Sequence, residues 1–135
     1  MRLLGIDYGV KRIGLAISDE SETIATAQAP LLVSDEADAL KKIAQVVLTE
    51  KIAKVILGLP VSMSGQEELQ AQEVKKFGTK LARIINQQID YVDERLTTSQ
   101  SRAMLAGAGK NVSLDSASAQ IILQTYLDIN KKNNE

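Results

Sequence analysis

The sequence predicts a single mixed α/β domain: a five-stranded mixed sheet, made of a three-strand meander plus two parallel strands, with helices on both faces. Three observations carry this. The first apolar runs are joined by connections too short for a parallel crossover, so they must form hairpins. Beyond residue 34 the apolar spacing changes from a strand period to a helix period. From there on strands alternate with helices, as in βα units.

Residues 2 to 7 read as a strand, and Gly9 offers a turn. Ile13, Leu15 and Ile17 alternate with Gly14, Ala16 and Ser18, the period of a second strand. Asp19-Glu20-Ser21-Glu22 is a polar turn. A third strand is expected from Thr23 to Ala29, ending near Pro30. Ser34 or Asp35 suits a helix N-cap. Leu40, Ile43, Ala44, Val47 and Leu48 then recur at helical spacing. Val55-Ile56-Leu57-Gly58-Leu59 is a continuous apolar run, expected of a central strand covered on both faces and stopped by Pro60.

A Ser- and Gly-containing loop at 61–66 precedes a helix from about Glu67 to Asn86. Val74, Phe77, Leu81 and Ile84 form its apolar stripe, and its charges run from acidic to basic, matching the helix dipole. Ile89 to Val92 is a short strand. Thr97 to Gln100 has capping-box spacing, so a helix starts there and Gly107 ends it. A last helix, from about Ser113 to Ile129, is apolar nearly all round and is expected to be buried. The domain covers 1–130, and 131–135 form a polar tail.

The chain has 135 residues, 44% apolar and 24% charged, which fits one globular domain with a full core. Cysteine and histidine are both absent. That excludes disulfides, thiolate sites, a Ser-His-Asp triad and imidazole-ligated zinc. Hydrolytic chemistry must therefore run on carboxylates, Lys, Tyr, hydroxyls or oxygen-ligated metal ions. No signal-like or membrane-spanning run is visible, so a cytoplasmic protein is expected. The net charge is −1 and the pI about 5.6, so phosphate contacts must come from a local patch.

Sites in α/β folds collect at strand ends. Asp7 ends the first strand, Asp93 and Glu94 end the last, and Asp115 lies on the first turn of the final helix. Two have a plain alternative: an Asx-turn for Asp7, a helix cap for Asp115. Alternation says only that Asp93 and Glu94 point oppositely. Clustered carboxylates suit Mg²⁺ or Mn²⁺, which prefer oxygen ligands, and a two-metal site can hold a phosphodiester.

Four segments in register resemble the YqgF family of pre-16S ribosomal RNA nucleases and Holliday-junction-resolvase-like proteins. They are Gly5-Ile6-Asp7-Tyr8-Gly9-Val10-Lys11-Arg12-Ile13-Gly14; Gly58-Leu59-Pro60; Asp93-Glu94-Arg95-Leu96-Thr97-Thr98; and Asp115-Ser116-Ala117-Ser118-Ala119 with Ile122-Leu123-Gln124-Thr125-Tyr126-Leu127-Asp128. The resemblance implies a ribonuclease H-like fold. It implies Asp7, Glu94 and Asp115 as catalytic and metal-binding acids, selecting Glu94 over Asp93. It also implies phosphate contacts from Lys11, Arg12 and Arg95, on pre-rRNA or branched DNA.

The chain departs from the family pattern at Ser62-Met63-Ser64-Gly65, where an acid and an amide are lost. It departs again at Gly109-Lys110-Asn111-Val112, where only one base remains. A monomer or weak homodimer is expected. Two rivals are an ATP-handling protein, since Asp-x-Gly after a first strand also occurs in actin-like ATPases, and a non-catalytic assembly factor.

Overall fold

A computed structural model describes residues 1–60, 65–94 and 114–133. In chain order the elements are β1 (Arg2–Asp7), β2 (Arg12–Ser18), β3 (Ala25–Leu32), α1 (Glu36–Thr49), β4 (Ile52–Leu59), α2 (Gly65–Ile84), β5 (Gln88–Asp93) and α3 (Leu114–Asn133). The helix expected from Thr97 to Gly107 lies outside the described residues.

The strands form one sheet in the order β3-β2-β1-β4-β5. β1, β2 and β3 pair antiparallel, while β4 pairs parallel with β1 and β5. This is the expected meander extended by two parallel strands. Strand alternation divides the core. Leu4 and Ile6 of β1 pack with Phe77 and Leu81 of α2 and Ile43 of α1 on one face. Leu3 packs with Ala119, Leu123 and Leu127 of α3 on the other.

β3 runs through Pro30 to Leu32 instead of ending at the proline. It is an edge strand, where a missing N–H is tolerated. The register also slips there: Ile13 faces Leu31 while Leu15 faces Gln28, leaving an extra residue on β3.

Asp35 is the N-cap of α1, its carboxylate accepting from the Asp38 N–H at 2.7 Å. Ala39, Ile43 and Val47 face the core, but Leu48 is 77% exposed, because it lies a hundred degrees round the helix from Val47 and beyond the sheet. Ile84 is likewise 53% exposed, and Ile85 takes the buried place four residues after Leu81.

α3 is one-sided instead of buried all round. Ser116, Ala119, Ile122, Leu123 and Leu127 are covered, while Leu114 and Ile129 are exposed. The helix continues to Asn133, past the expected start of the tail. It is stitched to the edge strand by Gln124, which accepts from the Ala25 N–H at 2.9 Å and donates to the Thr23 carbonyl at 3.0 Å. Among the described residues no helix is long and apolar enough to cross a membrane.

Candidate active site

Alternation decides which side chains meet at the carboxyl ends of the parallel strands. Asp7 shares the face of Leu3 and Gly5, the face covered by α3. Ile56 of β4 and Val92 of β5 belong to the same layer, which places Gly58 and Glu94 there too. Asp93 is on the opposite side, in phase with Tyr91, whose hydroxyl approaches Gly78 of α2.

Glycines let α3 lie close. A Cβ at Gly5 would sit 2.6 Å from the Leu123 Cβ, and one at Gly14 would sit 1.8 Å from the Asp115 carbonyl oxygen. A Cβ at Gly58 would meet Ile122 at 2.4 Å and the Glu94 Oε1 at 3.0 Å. The Glu94 carboxylate therefore lies over the Gly58 backbone, one strand away from Asp7. Buried Ser116, directly after Asp115, accepts from the Leu15 N–H at 3.4 Å. The start of α3 is thus seated on β2, beside the end of β1.

The three acids feel one another. The Asp7 carboxyl is pushed up to about 7, first by burial, then by repulsion from Glu94 and Asp115. Asp115 lies in the first turn of α3, and Arg12 approaches it, Nε to Oδ2, at 3.8 Å. An all-oxygen donor set with a protonation-prone carboxylate at its centre fits a hard divalent cation, which would supply the missing positive charge. Among the described residues, however, no three acids are gathered closely enough to hold one ion in common. The acids converge on one region without forming a closed cage.

A cleft of about 340 Å³ opens over these strand ends, lined by Asp7, Tyr8, Gly9, Val10, Gly58, Pro60, Gln70, Glu73, Val74 and Glu94. Asp7 and Glu94 form its acidic end; Asp115 stands outside the lining, with Arg12. Lys11 is exposed in the β1–β2 turn, where its carbonyl accepts from the Val33 N–H at 3.0 Å. Arg95, Lys110 and residues 61–64 lie outside the described residues.

The α2 wall of the cleft was missed from the sequence. Gln70, Glu73, Val74 and Phe77 fall at i, i+3, i+4 and i+7, one helical stripe. Its change from apolar to polar toward the helix N-terminus marks where α2 leaves the core and borders the opening. Tyr8 stacks on Phe77, with centroids 4.2 Å apart, and its other side lines the cleft.

Fold and acidic cleft together define a protein of the ribonuclease H-like class. Two solved structures share the fold: Thermus thermophilus RuvC in complex with a Holliday junction substrate, and the fowlpox virus Holliday junction resolvase. The first aligns at TM-score 0.73 and 12% identity, over 98% of this chain and 96% of that one. The second aligns at TM-score 0.58 and 14% identity, over 96% and 99%.

The chain belongs to the RuvX (YqgF) family, whose model, described as Holliday junction resolvase, matches residues 1–129. A relative from Caldanaerobacter subterraneus, named "Putative pre-16S rRNA nuclease", is 40% identical over 97% of this chain and 99% of its own length. One of the same name from Sulfurihydrogenibium is 41% identical over 94% and 90%.

Proposed function

We propose that this chain is a metal-dependent endonuclease that trims the 5′ end of pre-16S ribosomal RNA, with Asp7, Glu94 and Asp115 as its catalytic acids. The observation that carries this is the meeting of half-buried Asp7 with Glu94 in the cleft over the strand ends, where burial first, then Glu94 and Asp115, push the Asp7 carboxyl up. A bound cation would relieve this repulsion. The family and the names of its full-length relatives support the substrate class.

Asp7, Glu94 and Asp115 would hold Mg²⁺ or Mn²⁺, in a two-metal site. Bound divalent ions supply water activation and charge neutralisation for phosphodiester hydrolysis. Asp7, central and desolvated, orients that site. Glu94, lying over Gly58, closes the side toward β5. Asp115 closes the side toward β2. Arg12, with Lys11 and Arg95, contacts the phosphate backbone and draws the strand across the cleft. The chain works in the cytoplasm, and one copy suffices for a single cut.

Resolution of a four-way junction is the second reading, favoured by the description of the family model. It requires two copies to cut two strands symmetrically. The test is an assay of precursor ribosomal RNA against a four-way junction, with Mg²⁺ or Mn²⁺, for wild type and Asp7→Asn. Asp7-dependent cleavage of the RNA supports the proposal. Equal cleavage by wild type and variant overturns it and leaves a non-catalytic assembly factor.

A further inference from the structure

We propose that the cleft beside Asp7 takes one unpaired nucleobase next to the scissile phosphate, and that Glu73 reads this base through its exocyclic amine. This rests on the nuclease reading above and specifies its substrate.

The cleft has two unlike ends. Asp7 and Glu94 occupy one, while Tyr8, Val10, Pro60 and Val74 give the rest an apolar wall. A nucleotide has the same division, a charged phosphate joined to a flat apolar face. The volume, about 340 Å³, is at the small end of ligand sites. It is large enough for one base with its sugar. Tyr8 is held by its stack on Phe77, so the wall is set before substrate arrives and little ordering is needed.

Polarity then selects among bases. Gln70 and Glu73 stand on the α2 side, one turn apart, facing the cleft. An ionised carboxylate only accepts hydrogen bonds. It therefore favours bases with an exocyclic amine (adenine, cytosine, guanine) over uracil, whose single N3–H donor lies between two carbonyl oxygens that repel a carboxylate. Gln70, both donor and acceptor, tolerates any of the four.

The test uses single-stranded RNA in which the nucleotide flanking the cleavage site is A, C, G or U, and a version with that nucleotide paired to a complement. Wild type is expected to cleave the amine-bearing substrates about five- to tenfold faster in kcat/KM than the U substrate, the range of one well-placed hydrogen bond. Pairing the nucleotide should slow cleavage. Glu73→Gln should bring the four rates within about twofold.

A second readout needs no cleavage. 2-Aminopurine at that position should be quenched on binding to Asp7→Asn, and less so when Tyr8→Leu is added. Asp7-dependent cleavage with equal rates for all four bases, or a preference that survives Glu73→Gln, overturns the base-reading proposal alone. Cleavage indifferent to Asp7 overturns the nuclease reading beneath it.

Discussion

The backbone of Gly14 lies directly under the Asp115 carbonyl: a Cβ there would be 1.8 Å from the oxygen and 2.2 Å from its carbon. These are rigid backbone atoms that cannot swing aside. Gly14→Ala should therefore lift the first turn of α3 from the sheet, and Asp115 with it. Overpacking of this kind costs about 1 to 3 kcal/mol. Urea denaturation should show that loss, and nuclease activity should fall by more than the unfolded fraction explains. A variant within about 0.5 kcal/mol of wild type would mean that α3 is not seated this closely.

Arg12 sits 3.8 Å from Asp115 but is 62% exposed. A pair so solvated contributes little to folding, so Arg12→Ala should leave the denaturation midpoint nearly unchanged. Its effect should appear in binding. If Arg12 meets a phosphate, its removal weakens RNA affinity and flattens the log–log salt dependence by about 0.7. Fluorescence anisotropy across a KCl series measures both. An unaltered slope would remove Arg12 from the phosphate contacts.

Most of the sheet was legible because its signals are local. The short β1–β2 connection forces a hairpin, and Val55 to Leu59 reads as a strand covered on both sides. The misread boundaries depend on position in the fold. Pro30 continues β3 only because β3 is an edge with a bulge. Leu48 looks like core by spacing, yet the sheet does not extend beneath it. At the site, alternation in the sequence says only that Asp93 and Glu94 point oppositely, and which of them shares the α3 face with Asp7 depends on the assembled sheet. Glu73 gave no sequence signal as a cleft residue, because a polar residue on a helix reads as solvated surface until the neighbouring strand ends are placed.

Away from the site, Tyr126 donates to Asp90 at 2.7 Å and accepts from Lys54 at 2.9 Å. Lys54 also lies 3.4 Å from Asp90, so the three link α3 to β4 and β5. These polar contacts hold Asp90 below the usual carboxylate range and Lys54 above its ordinary value, against the burial of each. Tyr126→Phe keeps the ring and removes both hydrogen bonds. It should cost about 1 to 2 kcal/mol by thermal or urea unfolding. kcat should be unchanged at a temperature where both proteins are folded. A large kcat loss in a fully folded variant would show that this end of α3 controls Asp115.

Asp7 should make the stability of the metal-free protein depend on pH. Folded Asp7 keeps its proton to about pH 7, whereas the ordinary value is 3.8. Between these values the folded state binds more protons than the unfolded chain. The metal-free protein therefore has this contribution in full below pH 3.8 and loses it as pH rises through 7. The loss is on the order of 4 kcal/mol. Asp7→Asn keeps the shape without the charge, so it should flatten this slope. Without metal the variant should be more stable than wild type at pH 8, and with Mg²⁺ or Mn²⁺ its cleavage should be at least about a hundredfold slower than wild type. Divalent ions compete with the proton, so Mg²⁺ or Mn²⁺ should raise the wild-type Tm more at pH 8 than at pH 6. The variant should respond weakly at both. Calorimetry of the two proteins, with and without metal across this range, checks every part. A wild-type profile that is flat without metal would show that Asp7 is not the crowded carboxyl on which the proposed chemistry depends.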